Sequence, residues 1–555
     1  MRKKKLIISG VISLLIIIPL IFIKITVYPA PELPEIQIQN PQRETVNSTT
    51  FRYKNNWLRK NESGNWESYI EGTAYERGIA LGLLHKELIQ SQETAFVGEI
   101  EKLLPSRILR TVMQLGLGWF NRNLDKDIPE EYLQEIYGVS QSFSDDYSYI
   151  GPKFNRVLNY HAAHDIGHMV QNMNLVACTA VSQWDFDSGE PEMVLGRNFD
   201  FYFGDEFAKD KIVLFVNPSE GYDFVSVTWG GFSGVVSGMN EKGLTVTLNA
   251  LPSEIPTKSS TPVSIIARDV IQYASTIEEA YEIISKYDVF VSESFTIASA
   301  LDQTTAVIEK TPEKTAIYYP EDNQLIVANH FQSDEYKNSQ LNLDHIRDSE
   351  SMPRFDRMRE LTADDTTISV ENTLRYIRDQ KGPNGKELGI GNPMAINQLL
   401  AHHAVIFEPV KGIAYISAAP FQENVFNAYN VRSIKNMADL DPIRSPEIDS
   451  LRLGQDPFYT SLGFSDYEQY KILKVDFKTA PEKKVSEKGF IDKWIATNPE
   501  YYEPYLLLAD FYFNQKDFAS AKTYYEHAQS KAIPYLGIST HISENLTKSN
   551  ERHRN

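Results

Sequence analysis

The chain has 555 residues, 42% of them hydrophobic and 12% aromatic, which is enough for one large catalytic-sized domain with appendages. Its formal net charge of -19 argues against a nucleic acid or an anionic membrane surface as the main partner, because phosphate recognition needs clustered Lys and Arg. A single cysteine, Cys178, excludes an intramolecular disulfide framework and a multi-cysteine zinc site.

The N-terminus, "MRKKKLIISGVISLLIIIPLIFIK", places Arg2 to Lys5 before an uncharged apolar run from Leu6 to Ile23. As a helix the run measures about 27 Å, near the hydrocarbon thickness of a bilayer. It lacks a convincing cleavage site, so residues 1–28 are expected to form an uncleaved signal anchor in preference to a cleaved signal. The basic end would face the cytoplasm. Everything after it would be extracytoplasmic, in the periplasm or at the cell exterior. Residues 29–56, rich in Pro, Gln and Asn, predict a tether.

Residues 57–177 read as a helical segment: "AYERGIALGLLHKELIQSQETAFVGEIEKLL" keeps apolar residues at three and four spacing, and "PEEYLQEIYGVSQSF" opens on a proline followed by acids. Within 178–480 short β-rich runs such as "KIVLFVN", "LTVTLNA", "LIVANHF" and "AVIFEP" alternate with turn residues, and helical stretches such as "TIEEAYEIISKY" come in groups. Strands in runs and helices in runs predict an α+β domain of packed antiparallel sheets flanked by helices. In 481–545, Tyr505, Leu508, Ala509, Tyr512, Ala521, Tyr525 and Ala528 hold the offsets of a tetratricopeptide unit. One unit cannot bury both faces, so it should pack on the catalytic domain, on the "FIDKWIATNP" helix, or on a protein partner.

The chemistry centres on Cys178. "ACTAVSQWDFDSGEPEMVLGRNFDF" pairs Cys178-Thr179 with Gly196-Arg197-Asn198-Phe199-Asp200; downstream come Asn249 in "GMNEKGLTVTLNA", Asn329 in "LIVANHF" and Arg354 in "SMPRFDRM". In this order the motifs resemble the N-terminal-nucleophile hydrolases, specifically the isopenicillin N acyltransferase-like group, with choloylglycine hydrolases and acid ceramidase as relatives. The resemblance covers about residues 68–417. It implies an αββα sandwich, a helical pro-segment ending at Ala177, and self-cleavage of the Ala177-Cys178 bond. Ala177 stands where the penicillin acyltransferase branch has a familiar glycine.

A thiol with a pKa of about 8.5 is mostly protonated at neutral pH and needs a base or a cation. A cysteine at a chain terminus has its own base, an α-amine titrating at about 7.7–8.0. By the resemblance, Cys178 attacks an acyl carbonyl, Asp200 orients the α-amine, and Arg197 favours the thiolate. Asn249 supplies an oxyanion-hole donor, and Asn329 and Arg354 hold substrate and the site network. The expected activity is that of a self-processing, thiol-dependent amide hydrolase or acyltransferase acting on small N-acyl amides through a thioester, with an amine or acyl-CoA as co-substrate in the transfer case. No cofactor or metal is expected. The alternative is a membrane-tethered scaffold that recruits a partner through the tetratricopeptide-like unit and carries an inert catalytic fold.

Arg197 and Asp200, three apart on a strand, point to opposite faces unless a bulge intervenes. Phe201-Tyr202-Phe203 reads as an apolar acyl pocket or as ordinary core. His161, His164 and His168 share a helical face beside Cys178 and read as polar packing, having no positioned glutamate for metal-assisted chemistry. His402 and His403, leading into a strand, read as an edge or turn feature.

Overall fold

The computed structural model describes residues 25–34, 38, 40–169, 176–187, 189–363, 365 and 367–553. Among these residues seventeen strands form two sheets. The larger takes β1 (Glu44–Asn47), β2 (Thr50–Tyr53), β3 (Asn56–Lys60), β4 (Trp66–Gly72), β7 (Ile212–Pro218), β8 (Phe224–Thr228), β9 (Ser237–Asn240), β10 (Thr245–Ala250), β11 (Glu293–Ser299), β12 (Thr304–Lys310) and β13 (Thr315–Tyr318), in that spatial order. The smaller runs β14 (Gln324–Val327), β5 (Val176–Asp185), β6 (Glu192–Phe201), β15 (His403–Glu408), β16 (Ile413–Ser417), β17 (Phe426–Asn430). Strands β4 and β7 pair in parallel. The strands that carry Cys178 and Arg197 pair antiparallel, as do β6 and β15.

The two sheets lie face to face. Tyr69, Phe215, Val225 and Met239 of the larger sheet share one buried cluster with Ala180, Leu195 and Val405 of the smaller. Ser182 Oγ meets Thr305 Oγ1 across the gap at 2.8 Å. Helices Val263–Tyr273 and Ile277–Lys286 pack with the larger sheet's residues, and Ser351–Ala363 and Val370–Ile377 with the smaller's. The expected α+β class, two sheets flanked by helices, is what the chain forms.

Local chemistry explains these elements. Thr276 and Glu279 form a reciprocal capping box, the hydroxyl accepting from Glu279 N at 3.2 Å, and so start the helix at Ile277. On β6, a Cβ at Gly196 would lie 2.3 Å from Thr373 Cγ2. Helix Val370–Ile377 therefore settles on the strand at a point where no side chain stands.

Three expectations need correction. Residues 44–72, assigned to a tether and to the start of a helical segment, form β1–β4 and extend the larger sheet. In β3 and β4, Trp57, Leu58, Tyr69 and Ile70 are consecutive buried pairs. Burial on both faces erases the alternation that would have marked a strand. The tether is also pinned near its start, because Tyr28 is buried and its hydroxyl donates to Asn121 O at 3.0 Å. Helices do occupy much of the span from Ala74 to Met169.

The third correction concerns the membrane. No helix among the described residues is long and apolar enough to cross a bilayer, against the expected single-pass anchor and the extracytoplasmic placement drawn from it. The run Leu6 to Ile23 itself lies outside the described residues.

From Leu462 onward the chain is helical. Tyr505, Ala509, Ala521, Tyr525 and Ala528, the positions singled out by their offsets, form one buried cluster between helices Tyr502–Asn514 and Phe518–Gln529. Trp494 of the "FIDKWIATNP" helix packs with Leu508, and with Leu399 from the preceding domain. Asn392 Nδ2 donates to Ala532 O at 3.0 Å, tying the two regions together.

Candidate active site

Cys178 sits on β5 opposite Phe199 of β6, and Ala180 opposite Arg197. Directly opposed residues share a face, so Cys178 and Arg197 both project into the gap between the sheets. There Arg197 Nη2 donates to Cys178 Sγ at 3.3 Å and also to Leu248 O of β10. Its Nη1 donates to Ser237 Oγ of β9 at 2.7 Å. The guanidinium also lies 4.3 Å from the Phe199 ring centre. Arg197 is thus a strut from the smaller sheet to the larger, and the thiol touches it.

Arg354, on helix Ser351–Ala363, grips the same residue by its main chain. Nη1 donates to Cys178 O at 2.6 Å and to Thr179 Oγ1 at 2.8 Å. Nη2 donates to Asn329 Oδ1 at 2.7 Å and to Glu350 Oε1 at 3.2 Å. Asn329 Oδ1 in turn accepts the Cys178 N–H at 3.0 Å, while Asn329 Nδ2 donates to Ala250 O at 2.9 Å. The nitrogen that would become an α-amine on cleavage is therefore held by Asn329.

Asp200 stands differently. The β5–β6 register is unbroken from Val176↔Phe201 to Asp185↔Glu192, with Asp200 opposite Ala177. No bulge turns Asp200 toward the sulfur, so it lies on the face opposite Arg197. Both its carboxylate oxygens are buried without a hydrogen-bond partner. Burial, only partly offset by Arg354 and Arg197, pushes its pKa up to about 7. Asn249 on β10 donates one of its two Nδ2 hydrogens to Ala328 O at 3.1 Å. Four of the six site positions read from the sequence, Cys178, Arg197, Asn329 and Arg354, are joined directly by hydrogen bonds; Asn249 bonds Ala328 O beside Asn329, and Asp200 reaches the cluster by strand pairing and charge.

The thiol is fully buried. Burial pushes its pKa up to about 11, with Asp200 and Glu293 adding to the rise and Arg197 and Arg354 opposing it. The expected thiolate-favouring effect of Arg197 is present, but desolvation outweighs it while Ala177 remains attached. With the Ala177-Cys178 bond intact, the site is closed.

Sequence reasoning missed several groups. Ser237 and Glu350 carry no motif, and Ser351, which opens the "SMPRFDRM" run but was given no role, accepts the Asn329 N–H on its Oγ at 2.8 Å. Glu293, fully buried at the start of β11, faces Arg197 and has a pKa well above the carboxylate range because of burial and nearby Asp165. Tyr535, just before the last helix, lies near Glu350, whose charge adds to the burial that raises its phenol pKa. His402 and His403, taken for an edge or turn, are fully buried where β15 begins, between β6 and β16. His161 packs against Ser233, its Nε2 3.1 Å from Ser233 Oγ; the side chains of His164 and His168 lie outside the described residues. Of the aromatic run, Phe201 stacks on Trp229 and lines a recess with Phe96, Phe207 and Phe232, while Phe203 stacks on Phe96.

Residues 187–417 match the family model described as acyl-coenzyme A:6-aminopenicillanic acid acyl-transferase. An uncharacterized protein of Archaeoglobus fulgidus is 24% identical over 305 residues, 48% of this chain and 50% of its own length. Protein dcd1A of Dictyostelium discoideum is 21% identical over 274 residues, 45% of this chain and 59% of its own. The chain thus spans about half the length of the curated relatives it matches. Among solved structures, an N-acylethanolamine-hydrolyzing acid amidase ortholog of Caenorhabditis elegans is 15% identical, with TM-score 0.31, covering 42% of this chain and 93% of that one. A conjugated bile acid hydrolase of Clostridium perfringens is 15% identical, with TM-score 0.33, covering 48% and 95%. From residue 187 to residue 417 the chain is similar to the acyltransferase group of N-terminal-nucleophile hydrolases, the resemblance that Cys178-Thr179 and the Gly196 to Asp200 run had pointed to.

Proposed function

We propose that the chain is the precursor of a thiol-dependent amide hydrolase or acyltransferase that cuts itself at Ala177-Cys178. The observation that carries this is the convergence on one cysteine. Arg197 meets its sulfur, Asn329 its nitrogen and Arg354 its carbonyl, from three different elements.

Cleavage does two things in this geometry. It frees the Cys178 nitrogen as an α-amine, a base that a peptide nitrogen cannot be. It also frees the chain end beside the thiol, and any entry of water there lowers the thiol pKa from about 11 while Arg197 remains. Asp200, opposite Ala177 and without a partner, is placed to receive the new ammonium group.

In turnover the Cys178 thiol gives its proton to the α-amine, and sulfur bonds to the acyl carbon of an N-acyl amide. The carbon–nitrogen bond then breaks, and the α-ammonium returns the proton to the departing amine. Water releases the acid from the thioester, or a second amine takes the acyl group. Asn249 Nδ2, with a second hydrogen besides the one given to Ala328 O, is the side-chain donor for the oxyanion; one such donor is worth about 2.7–4 kcal/mol in the transition state.

N-terminal sequencing of purified protein tests the reading. The expected result is a new terminus at Cys178, lost in Cys178→Ala together with turnover of N-acyl amides. An uncut chain that is active refutes it.

A further inference from the structure

We propose that Ser237 and His403 are positioning residues that hold the Arg197 guanidinium against the Cys178 thiol. The proposal rests on Cys178 being the nucleophile and adds what fixes its cation. Arg197 Nη2 is shared between Cys178 Sγ and Leu248 O, and the charge of the buried Glu293 carboxyl also attracts the guanidinium, so Leu248 O or Glu293 could draw it away from sulfur. What opposes that pull is the bond from Nη1 to Ser237 Oγ at 2.7 Å. Ser237 is itself held, because His403 Nε2 lies 2.9 Å from the same oxygen. His403 is held in turn by His402, with the two Nδ1 atoms 2.9 Å apart. Ser237, His402 and His403 are all fully buried, so water supplies none of these bonds.

The hydrogen inventory assigns a direction. Ser237 Oγ accepts from Arg197, which leaves its own O–H free to donate to His403 Nε2. His403 then carries its hydrogen on Nδ1 and donates to His402 Nδ1. This order requires neutral imidazoles. Burial, with Lys211 and Arg197 close by, pushes His402 down to about 3; burial, His402 and Arg197 push His403 well below its usual range. The chain therefore carries orientation and no charge across the working pH range. It also crosses the sandwich twice, from β6 to β9 through Arg197 and from β9 back to β15 through Ser237.

The test uses the mature enzyme and the pH dependence of Cys178 alkylation by iodoacetamide, alongside amide turnover. Asp200, Glu293, Arg197 and Arg354, the charged groups that influence the thiol, stay unchanged in every variant. Ser237→Ala removes one oxygen, and its melting temperature reports whether the fold survives. His403→Leu and His403→Gln repeat the test from the other side of the bond. In Ser237→Ala and His403→Leu the midpoint of alkylation is expected to rise by about one pH unit, about a tenfold loss of thiolate at neutral pH. Ser237→Thr and His403→Gln, which keep the bonding atoms, should titrate close to the wild type. If the wild-type thiol never reacts, the nucleophile assignment fails. If it reacts and whichever of Ser237→Ala and His403→Leu folds titrates like the wild type, the positioning role is overturned while the nucleophile stands.

Discussion

Arg197 and Arg354 approach Cys178 from opposite faces of β5 and bond to different parts of it. Arg197 comes through the gap between the sheets, touches sulfur, and spends its other bonds on neutral acceptors, Leu248 O and Ser237 Oγ. Arg354 comes from the helical layer, touches no sulfur, and ties the Cys178 carbonyl to Asn329 and to the carboxylate of Glu350. The difference separates two tasks that a single charge near a nucleophile would confound. One guanidinium sets the electrostatics of the sulfur; the other fixes the backbone on which the sulfur stands.

The separation is open to direct attack. Replacing Arg354 with Met strands the buried Glu350 carboxylate and the Cys178 carbonyl, a loss of roughly 3–5 kcal/mol for a broken buried pair. Replacing Arg197 with Met strands hydrogen-bond acceptors that are neutral, Leu248 O and Ser237 Oγ, at about 1–3 kcal/mol, while burial already pushes the nearby Glu293 carboxyl toward its neutral form. Urea unfolding of both variants in a Cys178→Ala chain, which stays uncut, measures the two costs. Equal losses, or a larger one for Arg197, would erase the distinction.

Asp200 sharpens the comparison through pH. Its carboxyl is held at about 7 in the folded chain, mainly by burial, against a usual value of about 3.9. The folded state therefore binds this proton more tightly than the unfolded one. The resulting stability is full below about pH 4 and is lost as pH rises through about 7. The span is on the order of 4 kcal/mol. In the uncut Cys178→Ala chain, Asp200→Asn should flatten the stability curve between pH 4 and 7 relative to its parent. Parallel curves would mean that Asp200 is already paired in solution, and the ammonium-receiving role would lose its physical basis.

How far the sequence foretold this arrangement depends on the distance over which each contact acts. Cys178, Arg197, Asn329 and Arg354 were named from short motifs that resemble those of the N-terminal-nucleophile hydrolases, and the fold brings them within hydrogen-bond reach of one another. Ser237 and His403 are 166 positions apart and belong to different sheets, so no local pattern connects them. His402-His403 looked like an edge because polar residues at a strand start usually meet water. Here β16 covers the strand on one side and β6 on the other. The same blindness affected residues 44–72. Their place in the sheet is decided by pairing with β7, about 140 residues on, which periodicity within the segment cannot report.

Gly196 offers a smaller perturbation on the helical side of the site. A methyl group there meets Thr373 Cγ2 at 2.3 Å, so Gly196→Ala must push helix Val370–Ile377 outward or turn Thr373. Overpacking of this kind costs about 1–3 kcal/mol. Because the helix borders Asn198, whose Nδ2 donates to Ile377 O at 2.8 Å, the displacement should slow processing more than it shifts the thiol titration. A variant whose alkylation midpoint moves while its processing rate does not would show that the helical face also sets the sulfur's environment.

The last perturbation reaches Cys178 from the far end of the chain. Tyr535 lies close enough to Glu350 for that carboxylate to add to the rise of its phenol pKa, Glu350 bonds Arg354, and Arg354 bonds the Cys178 carbonyl, so the C-terminal helices approach the backbone side of the site and not the sulfur side. Tyr535→Phe deletes one hydroxyl and should cost about 1 kcal/mol in the uncut chain. If Arg354 governs placement, processing at Ala177-Cys178 should slow by a few fold while the alkylation midpoint of the mature enzyme stays fixed. That pairing of outcomes is informative because the phenol lies three contacts away from sulfur, too far to alter its charge yet connected to the atom that positions it. Processing at the wild-type rate would make the helices passengers at the site, and a shifted midpoint would mean that the two arginines do not divide their tasks.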